Sequence, residues 1–287
     1  MRVAVVGAGT MGVGIAHAFA TCSAQVWLVD PVPAQLDRAR ATLKSVLERG
    51  VARGRLTRDQ AESAAAGVTT VTDVSSVPPG VDLAIEAVPE NPDLKRRVLP
   101  AIEKRAPALI GSNTSSLPIG GLAASLDAPE RFIGTHFFNP VWAMKLVELV
   151  VAEQTAPETV AAARTVMQSV GKETIEVRDV PGFATSRLGI ALGLEAIRML
   201  ESGVASAEDI DKALVLGYGH PMGPLRLTDL VGLDIRLAVA RYLQSEYGER
   251  FAPPETLIRL VDEGNLGQKT GRGFYDWGEP AASASAG

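Results

Sequence analysis

One stretch near the start of the chain, VVGAGTMGVGIAHAFA, constrains the fold more than any other. It begins in the β-branched run Val3 to Val6, which reads as a buried strand, and continues into a helical pattern. Gly7, Gly9 and Gly12 stand at the junction in G-x-G-x-x-G spacing. In a strand-turn-helix unit the first glycine permits the tight turn and the second lets the backbone approach a pyrophosphate. The third lets the helix pack closely on the sheet, and the helix N-terminus then faces the phosphates. Alone, the glycine pattern is weak. Asp30 strengthens it, because it closes a second strand, Gln25 to Val29, about 20 residues further on. A carboxylate there can bind the ribose hydroxyls of NAD and would repel the extra phosphate of NADP. No arginine follows immediately, so NAD is the expected cofactor, held by the loop Gly7, Ala8, Gly9, Thr10, Met11 and Gly12. The competing reading makes the glycines ordinary turn residues and Asp30 a cap before Pro31.

The same rhythm continues. Short apolar strands are expected at 68–72, 82–88 and 108–112, and helices at 33–49, 57–65 and 92–105. Thr57 and Gln60 have the spacing of a capping box. Residues 131–151 read as two adjacent strands around Asn139-Pro140, followed by a helix at 157–170 and a strand at 172–177. Strands alternating with helices in this way predict an α/β fold, a Rossmann-like doubly wound sheet over residues 1–180, with a helical hairpin at about 33–65. At Val180-Pro181-Gly182 the texture changes, and residues 181–278 read as an all-helical C-terminal domain. The stretch FATSRLGIALGLEAIRMLESG is apolar on nearly every side, which calls for burial all round. A terminal domain of about 100 residues gives limited cover, so this helix is expected to pack against a second subunit as well as its own domain. A fully intrachain core helix is the alternative. The ending EPAASASAG, 279–287, reads as a disordered low-complexity tail.

Composition narrows the function. A net charge of -5 argues against a general nucleic-acid binder. No apolar run approaches the roughly 18–20 residues that span a bilayer, and the N-terminus lacks the pattern of a signal peptide. One cysteine, Cys22, fits a reducing cytoplasm. A dinucleotide fold implies hydride transfer, and alcohol oxidation needs a base. Only three histidines are present, His17, His136 and His220. His17 lies on the helix after the glycine loop, where a structural role is favoured, and His220 sits in the turn-rich GYGHPMGP with no acid nearby. His136 ends a strand, and the returning strand LVELVV carries Glu148. A charge in such a run is costly unless something needs it. If the two strands are neighbours, Glu148 can reach one imidazole nitrogen, fix the tautomer and stabilise an imidazolium. Without that acid, a core histidine would be the simpler reading. GSNTSSLPI, 111–119, follows the apolar strand ALIG. Ser115 or Ser116 could hydrogen-bond a substrate oxygen there, and a helix N-cap explains the same residues.

Together GAGTMGVGIA, EAVPEN, SNTSSLPI, HFFNPVWAMKLVEL, VPGF, GHPMGPLRLTDLVGLD and GQKTGRGFYDW resemble the 3-hydroxyacyl-CoA dehydrogenase family, closest to its short bacterial 3-hydroxybutyryl-CoA branch. The resemblance implies reversible, NAD-dependent oxidation of the 3-hydroxyl of (S)-3-hydroxyacyl-CoA, with short acyl chains. It matches His136 to the catalytic base, Glu148 to its paired acid, Ser115 to the serine on the substrate oxygen and Asp30 to the ribose-binding acid. Glu90, Lys95, Asn139 and Lys269 fall on further cofactor contacts, and no metal is assigned. A homodimer through the helical domain and a cleft between the two domains are implied as well. Two positions depart from the family pattern. Ser186 follows VPGF where an asparagine near the substrate carbonyl is usual. In the hairpin that grips the CoA tail, Arg53 matches a basic position that can meet a phosphate, whereas Val46 replaces a polar contact. Arg53 equally fits a solvated basic face with Arg49, Arg55 and Arg58. Two rivals remain: a dehydrogenase of a free hydroxy acid or sugar acid, and a non-catalytic NAD-binding protein, which would need a broken proton relay.

Overall fold

The computed structural model describes residues 1–278, so the low-complexity tail lies outside the described residues. The chain forms two compact units, Met1–Val180 and Pro181 onward. The first is built on strands β1 (Arg2–Val6), β2 (Gln25–Val29), β3 (Val68–Val71), β4 (Leu83–Glu86), β5 (Ile110–Ser112), β6 (Phe132–Phe137), β7 (Leu146–Val151) and β8 (Glu173–Arg178). They form one eight-stranded sheet in the order β3-β2-β1-β4-β5-β6-β7-β8. The strands from β3 to β6 pair in parallel, β7 returns antiparallel to β6, and β8 runs parallel to β7. The order reverses between β1 and β4, and in such sheets ligands bind beyond the carboxyl ends at that switch point.

Six helices cover this sheet: α1 (Thr10–Ala20), α2 (Pro33–Ala52), α3 (Arg58–Ala66), α4 (Pro92–Glu103), α5 (Ile119–Ala123) and α6 (Pro157–Ser169). Cover on both faces explains why β1 and β4 are apolar runs rather than alternating ones. Val3, Val5, Leu83 and Ile85 are wholly buried beside Phe19 and Leu28. The α2–α3 hairpin forms as its sequence suggests. Leu36, Ala39, Leu43, Val46 and Leu47 make the buried stripe of α2. Thr57 and Gln60 exchange both hydrogen bonds of a capping box, at 3.1 and 2.8 Å. The N-cap reading of NTSS does not hold: α5 starts later, at Ile119, and the carboxylate of Asp179 accepts from the N–H groups of Ile119 and Gly120 at 3.0 and 2.8 Å.

The second unit is helical: α7 (Thr185–Glu201), α8 (Ala207–Tyr218), α9 (Pro224–Val231), α10 (Leu233–Tyr247) and α11 (Glu255–Asp262). Its core gathers Ile190, Leu194, Ile197, Leu225, Leu237 and Leu243. Two buried carboxylates hold its ends together. Asp211 accepts from Leu225 N and Arg226 N at the start of α9 and from the Tyr275 hydroxyl. Asp229 accepts from Phe274 N, Tyr275 N and Trp277 Nε1. The expected all-round burial of α7 is not met within one chain, and neither is the intrachain alternative: Leu188 is 64% and Leu192 44% exposed. The helix has one core face and one apolar outer face. Among the described residues, no helix is long and apolar enough to cross a membrane.

Candidate active site

The glycine loop sits at the switch point. Gly7 has φ +108°, and a Cβ there would stand 2.4 Å from the Ala87 carbonyl oxygen. A Cβ on Gly12 would stand 1.8 Å from Gly7 O. These two positions therefore exclude any side chain, whereas the space over Gly9 is open. Gly9 caps α1 without a side-chain acceptor, so backbone N–H groups face that space. Asp30 braces the loop: its carboxylate accepts from Ala8 N and Val32 N, each at 3.0 Å, while Gln35 Nε2 donates to Ala8 O at 2.7 Å. Thr10 is exposed and Met11 half-buried. Open backbone donors at a helix N-terminus, with a carboxylate at the end of β2, fit a dinucleotide.

Beside the loop, at the end of β4, lies a group the sequence reading missed. Glu86 is wholly buried and accepts from Lys95 Nζ at 2.7 Å, Ser112 Oγ at 2.6 Å and Val88 N at 2.7 Å. Burial raises its pKa, against the pull of Lys95. Lys95, 1% exposed, also donates to Val88 O and lies 3.3 Å from Glu90 Oε2. Two of its N–H groups thus have protein acceptors, and its charge faces Glu90 as an ion pair. Glu90 Oε1 in turn accepts from Thr114 Oγ1 at 2.6 Å, Ser115 N at 3.0 Å and Ser116 N at 3.1 Å. Burial works to raise the Glu90 pKa, but Lys95 and these donors outweigh it and hold the carboxyl below its usual value. Glu90 and Lys95, which the resemblance places at the cofactor, also brace the loop that carries Ser115.

His136 and Glu148 lie directly opposite in the β6–β7 pair, so their side chains share a face. His136 Nδ1 is 2.7 Å from Glu148 Oε2, with the carboxylate wholly buried and the histidine 7% exposed. A carboxylate accepting from Nδ1–H puts the basic lone pair on Nε2. Phe138 packs on the imidazole, with ring centroids 4.4 Å apart. Asn113 Oδ1 accepts from Phe137 N at 3.0 Å, which ties the Ser115 loop to the strand of His136. Asn139 is exposed in the β6–β7 turn. Lys172 donates to Val141 O and Met144 O from beneath that turn, and burial lowers its pKa.

The α2–α3 hairpin borders a cavity of about 240 Å³ whose lining includes His17, Val46, Arg49, Arg53, Arg55 and Trp142. Arg53 thus shares one concave wall with Arg49 and Arg55. His17 is 8% exposed, its Nδ1 has no hydrogen-bond partner, and its ring meets Trp142 edge-on at 6.0 Å. Burial, with Lys172 adding to it, lowers its pKa to about 4, so the ring is neutral near pH 7. Ser186 and Lys269 belong to the second unit. Ser186 lies half-buried in the first turn of α7, and Lys269 Nζ pairs with both Asp234 oxygens at 2.6 Å.

A doubly wound sheet with a glycine loop, a histidine–carboxylate pair near the carboxyl ends and a following helical unit is the frame of a nicotinamide-dependent dehydrogenase. Two family models match the chain: 3-hydroxyacyl-CoA dehydrogenase, NAD binding domain, over residues 2–180, and 3-hydroxyacyl-CoA dehydrogenase, C-terminal domain, over 182–277. The chain belongs to the 3-hydroxyacyl-CoA dehydrogenase family. It is 41% identical over 284 residues to the 3-hydroxybutyryl-CoA dehydrogenase of Mycobacterium tuberculosis, covering 96% of this chain and 98% of that protein. To the enzyme of the same name from Clostridioides difficile it is 36% identical over 280 residues, covering 96% and 99%. The solved (S)-3-hydroxybutyryl-CoA dehydrogenase of Ralstonia eutropha superposes with a TM-score of 0.92 at 40% identity, covering 97% and 99%.

Proposed function

We propose that this NAD-dependent dehydrogenase oxidises the 3-hydroxyl of short (S)-3-hydroxyacyl-CoA thioesters to the ketone, reversibly, with His136 as general base. The feature that best supports this chemistry is the buried His136–Glu148 pair at 2.7 Å. His136 Nε2 takes the hydroxyl proton as the C3 hydride leaves, and Glu148 stabilises the imidazolium that results. NAD, when bound, accepts the hydride. Ser115 Oγ hydrogen-bonds the substrate oxygen, and Glu90 and Lys95 hold Ser115 in place. Asp30 binds the ribose, the loop from Gly7 to Gly12 receives the pyrophosphate, and Asn139 and Lys269 add cofactor contacts. Ser186 serves the thioester carbonyl. Arg53, with Arg49 and Arg55, meets the phosphates of the CoA nucleotide.

The protein acts as a homodimer in this reading. Leu188 and Leu192 on α7, Leu216 and Tyr218 on α8 and Ile235 on α10 are large exposed apolar groups of the second unit. A second copy of the same face is the natural cover for them.

The substrate assignment is tested by following NADH formation from (S)-3-hydroxybutyryl-CoA and from free (S)-3-hydroxybutyrate. Turnover is expected of the thioester, with the free acid at least about 100-fold poorer in kcat/KM for lack of CoA binding energy. Equal or better use of the free acid would refute the assignment.

A further inference from the structure

The turn between β6 and β7 is held by more than a plain connection needs. It runs from Phe138 to Lys145 and joins the strand of His136 to that of Glu148. A hairpin can close in two residues, so this longer turn does more than reverse the chain. Phe138 packs on the His136 ring, Asn139 stands exposed, and Trp142 meets His17 of α1 edge-on. Inside the turn, Ala143 N and Met144 N both donate to Pro140 O, at 2.9 and 3.1 Å. Other contacts pin it from outside. Val141, 1% exposed, sits in the notch left by Gly14 of α1, where a Cβ would stand 2.7 Å from Val141 Cγ2. On the opposite side Lys172 Nζ donates to Val141 O and, at 2.7 Å, to Met144 O. Lys172 is 8% exposed, and burial lowers its pKa with only the Cys22 thiol working the other way.

A desolvated ammonium is costly. Charge-assisted donation to two carbonyls is also a strong way to hold a turn whose outer residues, Ala143, Met144 and Lys145, are exposed. We propose that Lys172 is a positioning residue for the oxidation: by holding the turn at Val141 and Met144 it keeps Phe138 against the imidazole of His136 and Asn139 in place for the cofactor. The proposal rests on the dehydrogenase reading above, in which His136 is the base. Lys172 acts through the backbone of the turn and takes no proton from the substrate. Without its charge two carbonyls lose their donor, and Val141 keeps only its seat on Gly14. The imidazole then retains Glu148 but loses the wall that fixes its tilt. A misplacement of about 1 Å is enough to cost about 10²-fold in rate.

Lys172→Met keeps an apolar stem and removes the charge. With saturating NAD, kcat for (S)-3-hydroxybutyryl-CoA is expected to fall about 10- to 100-fold, while KM for the thioester changes less than about threefold. Amide hydrogen exchange across residues 138–145 of the free enzyme should quicken by at least about 10-fold. Gly14→Ala disturbs the same turn from the α1 side and should produce the same two changes, which keeps the test decisive should Lys172→Met not fold. Wild-type kcat in Lys172→Met, with only a lower denaturation midpoint, would overturn the proposal by assigning the ammonium to stability alone. So would a loss that lies entirely in KM, or a turn that exchanges no faster than in the wild type. Failure of the dehydrogenase reading looks different: the wild type makes no NADH from any 3-hydroxyacyl-CoA, while the turn still exchanges faster in Lys172→Met.

Discussion

At the scale of single residues, burial decides which titratable groups do chemistry. His17 is the clearest case, because burial holds its pKa near 4 against the ordinary 6.5. Between those values the unfolded chain binds a proton that the folded chain refuses. Stability therefore rises with pH across the window and is lost as pH falls through it. Urea unfolding at pH 7 and pH 4.5 should show a pH-dependent loss that shrinks by ~2 kcal/mol in His17→Leu, given 1.36 kcal/mol per pH unit. An unchanged loss would mean that His17 accepts its proton in the folded state. Glu148 was legible from sequence because an isolated carboxylate in LVELVV demands a partner. Glu86 stands in the same kind of run, DLAIEAV, and the same logic finds it. Its partner Lys95 was hidden, since the spacing reveals nothing of how α4 leans on β4.

Elements turn these residues into a site. The β6–β7 pair works because antiparallel register places His136 against Glu148, and no parallel crossover could bring residues twelve apart into such direct contact. The Ser115 loop is positioned by an ionic chain, Glu86–Lys95–Glu90, that runs from the end of β4 to the start of β5's loop. Removing its centre strands two carboxylates, one of them wholly buried. Lys95→Met should therefore destabilise the protein by about 3–5 kcal/mol, measured by denaturant midpoint, and should lower kcat through the freed loop. A variant of full stability would show that the pair is dispensable. Strands and helices of the first unit were readable to within a few residues because turn chemistry and hydrophobic period agreed. The start of α5 was not, since its cap, Asp179, arrives from 59 and 60 residues away.

For the whole molecule, charge and apolar surface set the constraints. A net charge of -5 is repulsive to a polyanionic thioester, so the phosphate contact proposed for Arg53 would act locally against the protein's own field. If a second copy covers the outer face of α7, as proposed, the assembly is concentration-dependent. Light scattering at micromolar concentration should report twice the chain mass, and the unfolding midpoint should rise with concentration. A monomer with a concentration-independent midpoint would remove the homodimer from this account. That helix also marks the limit of pattern reading: its apolar texture announced burial, but only the packed unit separates the core face from the outer one.

Everything turns on whether the imidazole of His136 takes the substrate proton. The most direct measurement is kcat for (S)-3-hydroxybutyryl-CoA in His136→Gln and Glu148→Gln, with the NADH dissociation constant measured alongside by fluorescence. The expected result is a loss of about 10²- to 10⁴-fold in kcat for His136→Gln, a smaller loss for Glu148→Gln, and unchanged NADH binding in both. A His136→Gln enzyme that keeps wild-type turnover would contradict the mechanism.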